Sequence, residues 1–207
     1  MKIFETNSLI NGKITVYWEL GWGKIIKVGG LTQSGGILFE VWQSTLRKLQ
    51  KTKPEVKNCL ILGLGGGSVA KIVSKNWPNS KITGVDIDFV MVDLGKKYLG
   101  LNKIDVKVKI ADAYNFVNAI YNIQHTKYDL VLVDLYCGDK FPEKFEEEKF
   151  LKNIKKIVNK DGIVVFNRLF GKNDKDKSLK FGKKLERVFK KVDYFYPQAN
   201  VELICYN

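Results

Sequence analysis

The chain has 207 residues, 45% of them hydrophobic, and its formal net charge is +13. This length and apolar content are enough for one domain with a substantial core. The three cysteines, Cys59, Cys137 and Cys205, lie far apart and form no CxxC pair, which argues against a disulfide framework and against a cysteine metal site.

Residue usage argues against two further classes of protein. His125 is the only histidine, so a multi-histidine metal site cannot be built, and its polar surroundings indicate a loop residue. The first ten residues lack the apolar core of a signal peptide, and no apolar run is long enough to span a bilayer. We therefore expect a cytoplasmic protein that holds no metal and does not associate with a membrane.

The basic charge could favour an acidic partner such as nucleic acid, and segment 172–191 is especially rich in lysine. Lysine is abundant throughout the chain, however, and Phe181, Leu185, Val188 and Phe189 give this segment the apolar stripe of an ordinary amphipathic helix. RNA binding is an alternative that rests on charge alone.

The first 35 residues are predicted to form a small β-hairpin module. Residues 13–19 and 24–28 alternate as strands do, and Gly21-Trp22-Gly23 supplies the turn between them. Two glycine pairs then bound a predicted loop that holds Gln33. Apolar residues at helical spacing predict a helix over 37–49, before Pro54.

The segment KNCLILGLGGGS, residues 57–68, predicts a strand, a tight turn and a helix. The apolar strand 58–62 leads into Gly63, Gly65, Gly66 and Gly67, and a helix is predicted over 68–76. Such a turn lets the backbone approach a ligand closely, and the free N–H groups at the start of the helix favour an oxygen-rich group. We expect a nucleoside-bearing cofactor, although short glycine turns also serve simply to pack a strand against a helix.

The next predicted strand, 81–86, ends in Asp86-Ile87-Asp88, about 20 residues beyond the glycines, where a doubly wound fold places an acid against ribose hydroxyls. Asp86 is therefore the candidate for the ribose contact. Asp88 is predicted to cap the following helix, 89–98, because Asp accepts well from exposed helical N–H groups.

Strands and helices continue to alternate, with strands at 106–110, 128–134 and 162–167 and helices at 113–122, 146–158 and 175–189. This alternation predicts a parallel sheet covered on both faces. The last two strands, 192–196 and 201–205, are separated by too few residues for a parallel crossover and should be antiparallel. Residues 36–207 are thus predicted to form an α/β, Rossmann-like class I methyltransferase fold, a mostly parallel seven-stranded sheet with a terminal antiparallel strand, preceded by the hairpin module of residues 1–35.

Two more strand ends carry acids. Asp112 and Ala113 follow the third strand, where the carboxylate could accept from an adenine amino group, or could simply cap a helix. Asp134 follows the apolar run of the fourth strand and should lie at the edge of the sheet. An acid at that position more often has a function than serves only as a solvated surface residue.

Together these segments resemble the spermidine synthase family and its methyltransferase-like relatives in the S-adenosylmethionine-dependent superfamily. The resemblance covers residues from about 13 to 169. It rests on the predicted hairpin and on VGGLTQSGG, LILGLGGGS, VDID, KIADAYNFV, YDLVLVDLY and KNIKKIVNKDGIVVFN.

The resemblance implies S-adenosylmethionine or decarboxylated S-adenosylmethionine as the cofactor, and a homodimer. It assigns the cofactor contacts to Gln33, the Gly63–Gly67 turn, Asp86 with Ile87, and Asp112, Ala113 and Leu135. The first two would face the amino-acid or sulfonium part, the Asp86 pair the ribose, and the last group the adenine. Asp134 is a candidate both for a cofactor contact and for catalysis.

Departures from the family pattern bear on the activity. Polyamine synthases carry GGGDGG where this chain has Gly66 in place of the acid, a Tyr-Gln pair where it has Trp42-Gln43, and DSSDP where its second acid is Cys137. A diamine needs carboxylate partners for its cationic amines and a base for the attacking nitrogen.

The sequence therefore favours methyl transfer to an unknown small-molecule acceptor. Asp134 would orient or deprotonate the acceptor, and Tyr136 and Asp139 would make further contacts. A polyamine aminopropyltransferase and a non-catalytic nucleoside-binding or RNA-binding protein are the alternatives.

Overall fold

The computed structural model describes residues 1–123 and 127–207, with the side chains of all of these except 121–123. His125, predicted to be a loop residue, lies outside the described residues. Within them the chain forms two β-sheets and six α-helices.

The smaller sheet is antiparallel, and its four strands follow chain order: Lys2–Ser8 (β1), Gly12–Glu19 (β2), Gly23–Val28 (β3) and Leu31–Ser34 (β4). The predicted hairpin is present as β2 and β3. The sequence pattern did not predict β1, most of whose side chains are exposed, or β4, which has four residues, because neither shows apolar alternation. Gln33 therefore lies on a strand and not in the predicted loop.

The larger sheet has seven strands: Asn58–Leu62 (β5), Lys81–Asp86 (β6), Val106–Ile110 (β7), Tyr128–Val133 (β8), Val158–Leu169 (β9), Lys191–Phe195 (β10) and Asn200–Tyr206 (β11). Their order across the sheet is β10-β11-β9-β8-β5-β6-β7. Strands β5 to β9 are parallel, and β11 runs antiparallel to both β9 and β10. The predicted Rossmann-like class I methyltransferase fold is confirmed.

The helices are Gly36–Thr52 (α1), Ser68–Asn76 (α2), Phe89–Leu94 (α3), Ala113–Ile123 (α4), Glu148–Ile157 (α5) and Lys175–Glu186 (α6). Helix α3 continues into a wider π-helical turn, Gly95–Leu99. Helix α5 begins later than predicted because Glu143–Glu146 forms a separate 3₁₀ turn. In the described part of the chain, none of the helices is both long and apolar enough to cross a membrane.

The central strands of the large sheet, β5, β8, β9 and β11, are buried on both faces, as the strands of parallel sheets are. Helices α1 and α2 cover one face, where Trp42 and Leu46 pack with Ile61. Helices α4, α5 and α6 cover the other, around Phe150 and Phe166. A third cluster joins the small sheet to α3 through contacts of Ile14, Val16 and Ile26 with Met91 and Leu94. The small sheet is thereby fixed beside the edge where the parallel strands end.

Candidate functional site

A cavity of about 530 Å³ opens at the carboxyl ends of the parallel strands, a size typical of small-molecule sites. Both sheets contribute to its wall. Ten of the residues singled out from the sequence line it: Gln33, Gly63, Gly65, Asp86, Ile87, Asp112, Ala113, Asp134, Leu135 and Tyr136. Gly66, Gly67 and Asp139 are not among the residues that line this cavity.

The glycine turn between β5 and α2 is tied to its neighbouring strands. The N–H groups of Gly63 and Leu64 donate to the carbonyl oxygen of Val85, at 2.9 and 3.0 Å. Gly63 has a φ of 88°, and a Cβ there would overlap the backbone carbonyl of Asp134. Only glycine fits this position, because β5, β6 and β8 converge on it.

Gly66 and Gly67 are buried, and packing explains why they are glycines. A Cβ on Gly66 would lie 2.8 to 2.9 Å from side-chain atoms of Leu99, Ile26 and Ser34, and one on Gly67 would meet Leu101. At both positions protein fills the space that a Cβ would need, and the expected cofactor contact stays a prediction. Gly66 lets the small sheet and the π-helical turn approach the glycine turn closely.

Asp86 is partly buried at the end of β6. Its carboxylate accepts hydrogen bonds from the N–H of Gly65 at 2.7 Å and from the N–H of Asp88 at 2.9 Å. Burial raises the pKa of Asp86 more than these hydrogen bonds lower it. Each carboxylate oxygen retains a further lone pair, so the group could still accept from hydroxyls of a ligand.

Asp88 caps α3, as predicted, because it accepts from the N–H groups of Val90 and Met91 at 2.9 and 3.4 Å. Its other carboxylate oxygen accepts from Ser8 Oγ at 2.5 Å and from Asn11 Nδ2 at 2.6 Å. One buried carboxylate thus also anchors the β1–β2 turn to the larger domain. Nothing in the sequence pattern indicated this second role.

Asp112 serves as a helix cap and also lines the cavity, so the predicted cap is present and the adenine contact stays a prediction. Its Oδ1 accepts from the N–H of Asn115 at 3.0 Å, and its Oδ2 pairs with Lys144 Nζ at 2.5 Å. Burial opposes ionisation, but Lys144 and the Asn115 N–H outweigh it, so the pKa of Asp112 is lowered. Lys144 itself lines the cavity and was not foreseen.

Asp134 is held on both sides. Its Oδ2 accepts from Trp42 Nε1 at 2.8 Å and its Oδ1 from Asn167 Nδ2 at 2.8 Å. Asn200 Nδ2 in turn donates to Asn167 Oδ1 at 2.7 Å, which orients the Asn167 amide. Burial raises the pKa of Asp134, and the two hydrogen bonds only partly counter it. The arrangement is a fixed carboxylate of raised basicity at the cavity wall.

The other two candidate catalytic residues differ in placement. Tyr136 lines the cavity, and its hydroxyl oxygen accepts from the N–H of Leu169 at 2.7 Å. Burial raises the pKa of this hydroxyl. Asp139 is exposed in the loop that follows. Gln33 Nε2 donates to the carbonyl oxygen of Gly138 at 3.1 Å, which ties this loop to β4.

One further carboxyl group, that of Glu202, is buried beside the site and does not line the cavity. Glu202 on β11 is fully buried, and neither of its carboxyl oxygens has a hydrogen-bond partner among the described residues. It is the register partner of Asn167. Burial, with a contribution from nearby Asp134, raises the pKa of Glu202 well above its ordinary value. Burial thus favours the neutral form of Glu202, which its position in a short apolar strand gave no means of predicting.

The comparisons with known proteins agree with this geometry. A model of the spermine/spermidine synthase domain family matches residues 41–199, which is more than half of the chain. The eEF1A lysine and N-terminal methyltransferase of Mus musculus is 30% identical over 115 residues, 52% of this chain and 16% of that protein. The polyamine aminopropyltransferase of Vibrio vulnificus (strain CMCP6) is 30% identical over 115 residues, 55% of this chain and 38% of that protein. The chain thus spans well under half the length of these two relatives.

Solved structures extend the similarity to the whole chain. Spermidine synthase from Thermotoga maritima superposes with a TM-score of 0.81 at 17% identity, over 99% of this chain and 72% of that one, and this likeness concerns the fold alone. Human methyltransferase-like protein 13, solved in complex with SAH, gives a TM-score of 0.65 at 25% identity, over 82% of this chain and 79% of that one. Relatives of both activities therefore share this architecture.

Proposed function

The chain belongs to the spermine/spermidine synthase domain family, and from that membership and the site we propose that it is an S-adenosylmethionine-dependent methyltransferase. The relatives include both methyltransferases and aminopropyltransferases, so the family supports a transferase without deciding which group is moved. The choice between methyl transfer and aminopropyl transfer therefore rests on the residues of the site.

The cofactor would lie along the strand ends in the order in which the strands stand in the sheet. Asp86 would accept from the ribose hydroxyls, and Asp112 with Ala113 would meet the adenine, on which Leu135 would pack. The glycine turn and Gln33 would face the methionine part. The positions of Asp86 at the end of β6 and Asp112 just after β7, two adjacent strands, support this arrangement.

One observation favours methyl over aminopropyl transfer. The three carboxylates of the described residues that line the cavity, Asp86, Asp112 and Asp134, all hold donors from the protein itself. A diamine acceptor and an aminopropyl group both bring ammonium charges that need carboxylates of their own. S-adenosylmethionine also carries an α-ammonium group, but its own carboxylate balances that charge, and methyl transfer to an uncharged acceptor brings no further ammonium group into the cavity.

Asp134 would then hold the acceptor and take its proton. The methyl group passes in line from the sulfonium to the acceptor, so the contribution of the protein is positioning and exclusion of water. A base of raised pKa suits this role, since proton transfer is most effective when the pKa lies near the working pH. Tyr136 would contact the acceptor from the neighbouring wall.

Calorimetric titration of the protein tests this proposal. We expect S-adenosylmethionine and S-adenosylhomocysteine to bind at least tenfold more tightly than decarboxylated S-adenosylmethionine and methylthioadenosine. Asp86→Asn should weaken the first two ligands, whereas Asp105→Asn, a change at an exposed acid that does not line the cavity, should not. Preference for the decarboxylated pair would instead support an aminopropyltransferase. Absence of binding by all four would leave the glycine turn as a purely structural element.

A polyamine aminopropyltransferase is the second candidate, because the Vibrio vulnificus enzyme is among the relatives at 30% identity. It requires that another acid replace the one missing at Cys137. Exposed Asp139 is two residues away and would have to turn toward the cavity. Formation of spermidine from putrescine and decarboxylated S-adenosylmethionine would establish this activity.

A further inference from the structure

The strand order divides the cavity into two halves. Asp86 and Asp112 stand at the ends of β6 and β7, whereas Asp134 follows β8, and Leu169 ends β9. The half at β8 and β9 is the one that holds the candidate catalytic residues. We call this part the acceptor half.

The acceptor half has an apolar wall, which consists of Ile10, Leu31, Ile37, Leu38, Val41 and Leu169. Val41 precedes Trp42, the residue that holds Asp134, and the N–H of Leu169 binds the Tyr136 hydroxyl. Val41 and Leu169 thus bring part of this wall to the groups expected to meet the acceptor, where the amides of Asn167 and Asn200 are the neighbouring polar groups.

Charges are scarce in the acceptor half. Among the described residues that line it, Asp134 is the one charged group, and Trp42 and Asn167 already occupy both of its oxygens. The neighbouring side-chain amide of Asn200 already donates a hydrogen bond to Asn167. Glu202 is buried behind the wall and does not line the cavity. An ammonium group entering here would lose its hydration and gain only a carboxylate whose charge the Trp42 and Asn167 donors already share, which is unfavourable, whereas a neutral hydroxyl needs only the further lone pair that each Asp134 oxygen retains.

The mouth of the cavity is apolar too. Ile10, Leu31 and Ile37 belong to the wall, yet they are 44%, 44% and 46% exposed. Apolar surface left at the entrance of a cavity gains free energy when an apolar ligand covers it. The entrance of the cavity is therefore apolar, like the wall of the acceptor half.

We propose that the acceptor is an uncharged, largely apolar small molecule that presents one hydroxyl or thiol to Asp134. This inference rests on the proposed methyltransferase function and narrows its substrate class. The acceptor oxygen or sulfur forms a bond to the methyl carbon as the bond from that carbon to the sulfonium breaks. The sulfonium keeps the electron pair and becomes a neutral thioether, and the acceptor proton passes to the Asp134 carboxylate.

The test compares two probes of the same shape on protein saturated with S-adenosylhomocysteine. The probes are 2-naphthalenemethanol, which is uncharged, and 2-naphthalenemethylamine, which is a cation at pH 7. We expect the alcohol to bind with a stoichiometry of one and at least tenfold more tightly than the amine. 1,4-Diaminobutane, added separately, should bind more weakly than either.

Two variants locate the effect. Ile37→Glu places a carboxylate on the rim and should shift the preference at least tenfold toward the amine. Its control is Leu20→Glu, which adds the same charge at a residue that is 86% exposed and does not line the cavity. The control should leave the ratio of the two affinities unchanged.

Equal or tighter binding of the amine by the wild-type protein would overturn the inference, and so would failure of the alcohol to bind. Failure of S-adenosylhomocysteine itself to bind is seen in the first titration, before either probe is added. That result would overturn the proposed function, and the acceptor inference with it.

Discussion

The indole Nε1–H of Trp42 donates a hydrogen bond to Oδ2 of Asp134 at 2.8 Å, across 92 residues of sequence. Trp42 is otherwise a buried residue of α1 that packs against the sheet. A single side chain therefore belongs both to the core and to the site. Any change at Trp42 should act on stability and on Asp134 together.

The coupling between these two residues can be measured by a double-mutant cycle of Trp42→Phe and Asp134→Ala. Trp42→Phe keeps most of the apolar volume but removes the donor to a buried carboxylate. We expect a coupling free energy of about 1–3 kcal/mol from urea unfolding of the wild type, the two single variants and the double variant.

The matched control is Trp77→Phe, because the Trp77 indole is also buried but donates to the carbonyl oxygen of Lys53, at 3.0 Å. Trp77→Phe and Asp134→Ala should be additive. A coupling of zero between Trp42 and Asp134 would show that the indole does not hold the carboxylate in solution.

Glu202 should make the protein less stable as the pH rises. Its folded-state pKa is raised by burial, so the folded protein keeps a proton that the unfolded chain releases above the ordinary glutamic acid pKa. The stability contributed by protonated Glu202 is complete below that pKa and is lost above it, by up to about 1.4 kcal/mol per pH unit. Glu202→Gln should remove this slope and raise the melting temperature at pH 7.5 more than at pH 5.5.

Glu148→Gln serves as the control for Glu202. Glu148 is exposed, and its ion pair with Lys152 lowers its pKa, so it is ionised in both states throughout this range. Thermal unfolding of the two variants between pH 5.5 and 7.5 provides the comparison. Parallel pH profiles for the wild type and Glu202→Gln would contradict a raised pKa of Glu202 in the folded protein.

Gly66→Ala should destabilise the protein without changing the affinity of the folded state for S-adenosylhomocysteine. The new methyl group would press against Leu99, Ile26 and Ser34, an overpacking that costs about 1–3 kcal/mol. Gly171→Ala is the control, because a Cβ there would meet only the Asp174 carboxylate, at 3.8 Å. A cofactor affinity reduced more than tenfold by Gly66→Ala, with unchanged stability, would place Gly66 in the binding site after all.

Asp112→Asn should weaken S-adenosylhomocysteine about fivefold if this carboxylate accepts from the adenine amino group. The estimate follows from the difference between a hydrogen bond to a charged acceptor and one to a neutral acceptor, about 1 kcal/mol. The helix cap survives, since asparagine also caps well. An S-adenosylhomocysteine analogue with hydrogen in place of the 6-amino group has neither a donor nor an acceptor there and should bind the wild type and the variant equally. A fivefold weaker binding of this analogue by the variant would contradict the adenine contact.

The residues predicted from the sequence are those that periodicity places at strand ends. Asp86, Asp112 and Asp134 each follow an apolar run, and the topology of a parallel sheet brings such positions to one edge. The same logic predicted the seven strands of the large sheet and the antiparallel β11. Local pattern was sufficient for these features because each one is encoded within about ten residues.

Other parts of the site depend on contacts between distant segments. Trp42 fits the helical spacing of a core residue, and its N–H donor matters only because the fold brings α1 next to Asp134, the residue that follows β8. Lys144 lies in the 3₁₀ turn and Asn11 in the β1–β2 turn, and no local pattern indicates that these turns reach Asp112 and Asp88. Glu202 could not be recognised as buried and unpartnered until β11 was placed between β9 and β10.

A crystal structure of the protein grown with saturating S-adenosylhomocysteine tests the central claim most directly. We expect the ribose hydroxyls within hydrogen-bond distance of the Asp86 carboxylate, the adenine amino group at Asp112, and the thioether sulfur facing Asp134 across the acceptor half of the cavity. A nucleoside bound elsewhere, or a cavity that stays unoccupied at saturation, would contradict the cofactor site proposed here.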